Sequence, residues 1–323
     1  MNITLFGMPL YGYGIGVALA TALWFVGVLG CAKAKKIPCY LVLRFVVLAI
    51  MLGVAGARIL YCVVNYETFT VYYENPWLML RFFDGGYSLA GAWGGVLLAG
   101  YVASRKSAVS FASLADVACV PMGLWLCVAR FFEQMTELGV GKVVENNWFT
   151  LHFPWLFIQE TIGKTTEYRL MVYAYEGAVG LLLFCVLLLG FKQKKAQQPG
   201  HFALLFFAWY GATQIVMESM RDDGHMLIIF LRVAQLVCLS MPLVATGLAM
   251  KRTRPRLWCK VCLWGVQVVA VLGLVLLEFS LDGRITWGAP SLGRDYMLMT
   301  GICLLLALIP TVLLCKGQPN HDH

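Results

Sequence analysis

The stretch Arg81-Phe82-Phe83-Asp84-Gly85-Gly86-Tyr87-Ser88-Leu89-Ala90-Gly91-Ala92-Trp93-Gly94-Gly95 puts five glycines and one carboxylate at the mouth of a long apolar segment. Its polar start and its apolar continuation to about residue 104 read as a helix entering lipid, and most of the remaining chain repeats that character. Glycine lets backbone approach another helix or a ligand, or take a sharp turn. Two readings of the cluster therefore stand side by side, a packed pocket entrance and plain helix packing.

Composition decides the class. Of 323 residues 60% are hydrophobic and only 13% charged, and the mean hydropathy is +0.75. A soluble domain needs charge on roughly a quarter of its residues, so an all-α polytopic membrane protein is expected. The first apolar run, from about Tyr11 to Leu29, has no basic flank before it and no small-residue cleavage site after it, which reads as a retained helix. Most of the cysteines, such as Cys119, Cys127, Cys185, Cys238 and Cys303, lie in apolar runs where a thiol acts as a small hydrophobe. The Cys259/Cys262 pair has no second pair and no nearby histidine. The five histidines are scattered, so no metal site and no cofactor are expected.

A bundle of about nine transmembrane helices is predicted, at approximately 10–30, 40–63, 88–104, 110–129, 171–190, 202–219, 227–250, 258–278 and 296–315. The segment 130–169 is the one long loop, with room for a small domain or lid. Alternate connections separate by charge. One set holds Lys33, Lys35, Lys36, Arg105, Lys106, Lys192, Lys194, Lys195, Lys251, Arg252, Arg254, Arg256, Lys260 and Lys316; the other holds nearly all the loop acids. The positive-inside rule places the first set in the cytoplasm, with the N-terminus outside and the C-terminus cytoplasmic. The net charge of +8 is then a topology signal with anionic-lipid contact, not a nucleic-acid footprint.

Ionisable groups within spans cost several kcal/mol unless paired or solvated. Arg58, Asp116, Arg130, Glu176, Glu218, Arg221 and Arg232 lie within or at the rim of the predicted helices. Arg58, Arg130, Glu176, Glu218 and Arg221, with Asp84, fall near the outer leaflet, which suggests one outward-facing polar cluster. Asp116 and Arg232 read equally well as ion pairs that orient helices. Glu218 and Arg221 are spaced i, i+3, and Tyr210 lies two turns earlier, so one helix face is expected to present all three. Arginine forks suit a phospholipid phosphate, whereas a cation transporter would gather acids at the midplane.

In order, these motifs resemble the prolipoprotein diacylglyceryl transferases, integral membrane enzymes that move diacylglyceryl from phosphatidylglycerol to the lipobox cysteine of a bacterial prolipoprotein. The resemblance covers about residues 10–250. Tyr13-Gly14-Ile15-Gly16 resembles the family's first-helix element, Gly56-Ala57-Arg58 its second, and Asp84-Gly85-Gly86 its approach to the third. Arg130 stands at the signature arginine, followed by Glu137 and Gly139, displaced by about one residue. Tyr175-Glu176, then Tyr210-Gly211 with Glu218 and Arg221-Asp222, then Gln235 with Leu239-Ser240 resemble later elements. The resemblance implies a transferase-like seven-helix domain over 1–250 in the bacterial cell membrane, with its site facing the outer leaflet. Residues 251–323 form an extension with two more helices. Implied partners are phosphatidylglycerol and a prolipoprotein signal peptide with its lipobox. Arg130, Glu133 and Tyr210 are the catalytic candidates, and Tyr13, Arg58, Gly85, Gly86, Glu137, Glu218, Arg221 and Gln235 the substrate-binding ones.

Three positions depart from the family's pattern. Its histidine, a proposed proton acceptor, is Ala90 here; its asparagine three after the signature arginine is Glu133; and its second functional arginine is Gln214. The reaction needs a proton acceptor for the thiol and a cation for the leaving phosphate. Glu133 is the replacement base, or else merely a partner of Arg130. An active transferase and a lipid-binding paralogue without turnover are the two readings that follow. A transporter is the third, and it would require matched halves with broken helices, of which the sequence has no inverted repeat.

Overall fold

The structure, a computed structural model, describes residues 2–5, 8–82, 85–136, 139–145, 148–162, 165–193, 198–222, 227–228, 231–285 and 292–316. Asp84 and Glu137, both singled out in the sequence, lie outside the described residues. A hairpin of β1 (Asn2–Leu5) and β2 (Met8–Tyr11) leads into α1 (Gly12–Ala34). Pro38, extended and unable to continue a helix, starts α2 (Cys39–Val64). After a π turn and a 3-10 turn, Ser88 caps α3 (Leu89–Ser104) by accepting the Gly91 N–H. Ser110 does the same for α4 (Phe111–Cys119) through the Ser113 N–H.

Pro121 then interrupts the chain, and α5 (Met122–Glu133) leaves α4 at 43°. The long connection after α5 is ordered. It carries β3 (Val143–Val144), α6 (Trp148–His152), β4 (Phe157–Ile162) and β5 (Thr165–Leu170), with strands in the order β3-β5-β4, all antiparallel. Next come α7 (Val172–Lys192), α8 (His201–Met220), the short hairpin β6 (Leu227–Ile228) and β7 (Leu231–Arg232), α9 (Val233–Thr253), α10 (Leu257–Leu281) and α11 (Leu292–Lys316).

The fold is mostly helical, and all nine expected segments contain helix. By length and apolar composition α1, α2, α7, α9, α10 and α11 can cross a membrane, and the bent α4–α5 pair makes a seventh span if counted as one. At 16 residues α3 reaches about 24 Å, short of the roughly 30 Å apolar layer. The seventh segment begins at Val233 rather than 227, because Leu227–Ile228 pairs with Leu231–Arg232 as a hairpin. Large apolar side chains face outward on these helices, with Val26 at 65%, Leu182 at 63% and Val269 at 70% exposure. In water such surface would be a liability, whereas lipid is its proper solvent.

Inside, Trp24, Phe45, Leu114, Val117 and Phe206 join α1, α2, α4 and α8. A second cluster joins Ala212, Ile215 and Cys238 of α8 and α9 to Leu274, Leu277, Met299 and Leu306 of α10 and α11, so the C-terminal pair is packed against the rest. Part of the glycine-rich stretch serves helix packing: a Cβ on Gly56 would sit 2.6 Å from the Gly91 carbonyl oxygen, so α2 and α3 touch backbone to backbone. At the other end of α4 the fully buried Asp116 caps α8 from a distance, taking the Gly200 and Ala203 N–H groups at 2.8 and 3.0 Å and the Lys35 ammonium at 3.1 Å.

Candidate active site

At the C-terminal end of α5, Arg130 and Glu133 are one turn apart, which brings the guanidinium back onto the carboxylate. Arg130 donates to both Glu133 oxygens at 2.9 and 2.8 Å. Its Nε meets Glu176 Oε2, from the first turns of α7, at 2.5 Å. Arg221 closes the set, donating to Glu133 Oε1 at 3.0 Å and lying 3.3 Å from Glu176 Oε1. Two arginines and two carboxylates thus compensate one another. Each carboxylate bridges both guanidinia, the arrangement that makes buried charge tolerable.

Gln214, where the resemblance implies an arginine, donates to Glu176 Oε1 at 2.7 Å. A neutral donor is all this position needs here, because Arg130 and Arg221 already supply the positive charge. Beside the quartet is a pocket lined by Leu126, Arg130, Glu176, Tyr210, Gln214 and Met217, with water-sized free space of about 10 Å³. Tyr210 is buried, its ring stacked on Phe206 at 5.5 Å and tilted against Trp93 at 5.3 Å. Tyr13, near the start of α1, is within electrostatic reach of all four charged groups.

The quartet thus brings together the catalytic candidates Arg130 and Glu133 with Arg221, and Tyr210 adjoins them. Glu176, noted in the sequence as an intramembrane charge and as part of the Tyr175-Glu176 element but not among the site candidates, is its fourth member; the physical signal was a carboxylate that lipid would not tolerate alone. Arg221 does not share a helical face with Glu218 and Tyr210 as its spacing suggested. The helix α8 ends at Met220, and Arg221 is extended, paired with Gly141 in a β-bridge. Arg58 has a different setting. It is 4% exposed and donates to the Met79 carbonyl at 3.1 Å, Leu78 at 2.9 Å and Gly86 at 3.1 Å, and also to Gly85.

The Gly85 and Gly86 carbonyls belong to residues with φ of +75° and +74°, and a Cβ on Gly86 would run into the Tyr61 ring. Ala90 is half-buried in the first turn of α3. Gln235 donates to Ser219 Oγ at 2.9 Å, and the Glu218 carbonyl accepts from Arg232. Outside the spans, Asp222 holds Arg169 through a 2.9 Å bond and keeps its guanidinium pKa raised. Burial, and then the Arg232 charge, push the Lys142 ammonium below its usual range. Among the described residues no three His, Cys, Asp or Glu side chains are grouped as metal ligands.

Fold and site together define a polytopic helical membrane protein with a buried arginine–carboxylate centre at one end of its bundle. The family described as prolipoprotein diacylglyceryl transferase matches residues 1–251, and the chain belongs to that family. It is 29% identical over 217 residues to the phosphatidylglycerol–prolipoprotein diacylglyceryl transferase of Lactococcus lactis subsp. lactis, covering 64% of this chain and 76% of the relative. It is 26% identical over 239 residues to the protein of that name from Bacillus licheniformis, covering 74% and 86%. With the one from Shouchella clausii it shares 26% over 255 residues, covering 78% and 88%. These comparisons favour the enzyme and give no support to a paralogue without turnover.

Proposed function

We propose that this chain is a phosphatidylglycerol–prolipoprotein diacylglyceryl transferase of a bacterial cell membrane. The thiolate of the prolipoprotein's lipobox cysteine attacks the glycerol carbon of phosphatidylglycerol. A carbon–sulfur bond forms, the carbon–oxygen bond to phosphate breaks, and glycerol phosphate leaves with the electron pair. Family membership supports the reaction. The observation that carries the site is the convergence of the Arg130 and Arg221 guanidinia, from separate elements, beside the pocket of Tyr210 and Gln214. Two planar forks can hold phosphate oxygens as charge builds on the leaving group.

In this reading Arg130 is the principal phosphate ligand and Arg221 its helper. Glu133 takes the thiol proton in place of the histidine absent at Ala90, releasing an arginine as it does so. Tyr13, Glu137, Glu218 and Gln235 border the substrates, and Arg58 acts by shaping the Gly85-Gly86 approach. The bundle has nine spans, with the N-terminus outside, the C-terminus cytoplasmic and the site at the outer leaflet. Residues 1–250 form the transferase domain and 251–323 an appended pair of helices. The test is rescue in cells depleted of their own transferase: this chain should restore diacylglyceryl modification of a reporter prolipoprotein, and Arg130→Ala should abolish it. Correct insertion without rescue would overturn the reading.

A further inference from the structure

The last carbonyls of a helix have no partner within it and need caps from elsewhere. At the end of α8 three consecutive carbonyls are capped by three distant parts of the chain. Glu218 O accepts from the Arg232 guanidinium. Ser219 O accepts from the Tyr296 hydroxyl of α11 at 3.0 Å. Met220 O accepts from the Lys142 main-chain N–H at 2.9 Å. The next residue is Arg221, whose side chain turns onto Glu133 and Glu176.

Two of these caps depend on the helices beyond the family match. Tyr296 is 7% exposed and provides one directly. The other, Arg232, is held in place from α10, with Glu278 Oε1 at 3.6 Å from its Nε and Asp282 Oδ1 at 3.7 Å from its Nη2. Glu278 also accepts from the Ser219 hydroxyl, which in turn accepts from Gln235 at 2.9 Å. Tyr296 and Glu278 therefore converge on the one turn of α8 that launches a site arginine, while Gln267 donates to Thr246 and Thr311 accepts from Trp209 farther along the bundle. Elsewhere those helices meet the bundle mainly through apolar cores.

We propose that Tyr296 and Glu278 are positioning residues for Arg221, so that the C-terminal helix pair completes the active site instead of merely covering it. The kinetic side of this inference rests on the transferase reading, and its structural side does not. The test uses full-length Tyr296→Phe and Glu278→Gln, each alone and combined with Arg221→Lys. They are assayed in phosphatidylglycerol vesicles with a synthetic lipobox peptide, with amide hydrogen exchange measured over 216–222 in the same samples.

Tyr296→Phe should lower kcat about tenfold, as a misplaced catalytic group does, while leaving KM for the peptide unchanged and speeding exchange at 220–222. In the Arg221→Lys background the same change should cost less than about twofold, because both act through one side chain. Glu278→Gln should follow the same pattern. Unchanged exchange at 220–222 would overturn the proposal, and so would losses that multiply in full with Arg221→Lys. A wild-type chain with no transfer under these conditions would sink the transferase reading instead, and exchange alone would then decide whether the helix pair holds Arg221.

Discussion

Replacing Glu133 with glutamine asks whether the quartet is held by charge or only by shape. The Glu133 side chain is 4% exposed and takes hydrogen bonds from Arg130 at 2.9 and 2.8 Å and from Arg221 at 3.0 Å. Glutamine keeps one acceptor oxygen but turns an amide NH2 toward a guanidinium, and two arginines are left to share Glu176. A hydrogen bond to a charged group contributes about 1.5–3 kcal/mol, and removing one partner of a buried ion pair costs about 3–5 kcal/mol. A destabilisation of about 3 kcal/mol is expected, roughly a hundredfold in the folding equilibrium.

Reversible denaturant unfolding in mixed micelles, followed by tryptophan fluorescence, measures it. The double variant Glu133→Gln with Arg221→Gln restores the charge balance and should recover more than half of the loss, the coupling expected of neighbours in one network. A loss below about 1 kcal/mol, the scale of an exposed pair, would refute the reasoning, as would strictly additive losses. If transfer fell with stability unchanged, the base role for Glu133 would stand and its structural role would not.

Other perturbations test separate parts of the fold. Asp116→Asn keeps one acceptor but loses the charge that holds Lys35 and two N–H groups of α8, and should cost about 1–3 kcal/mol in thermal unfolding, with transfer per folded molecule unchanged. Gly56→Leu forces α2 off α3 at the Gly91 carbonyl and should destabilise by about 1–3 kcal/mol, whereas Gly14→Leu, with nothing near its Cβ site, should be silent in the same melt. Lys142 has its pKa lowered from 10.5 by burial first, so the unfolded chain binds its proton more tightly. Stability should therefore rise with pH between the folded value and 10.5, and Lys142→Met should remove that rise from a pH series of unfolding curves.

The helical segments were legible because lipid imposes length and composition on each segment by itself. Charge in the wrong solvent likewise exposed Arg130, Glu176 and Arg221. What could not be read was pairing across long separations: periodicity places Arg130 beside Glu133, but nothing local says that Glu176 and Arg221 close the ring. Spacing also misled at Arg221, because the rule of i, i+3 holds only while the helix lasts, and α8 stops one residue earlier. Nor could the sequence give the setting of Arg58, a substrate-binding candidate that gathers the carbonyls of Leu78, Met79, Gly85 and Gly86. Of the glycine-rich stretch, Gly91 is consumed by contact with α2, while Gly85 and Gly86 shape a polar turn.

The capped end of α8 also has a consequence in time. Ribosomes deliver the chain from residue 1 onward, so α8, its Arg221 and both carboxylates of the quartet enter the membrane before Tyr296 exists. Until α11 has inserted, the Ser219 carbonyl lacks the hydroxyl that binds it in the finished protein. On the proposal made above, assembly of the arginine centre waits for α11, and a nascent chain halted before that helix holds every residue of the centre without the Tyr296 cap.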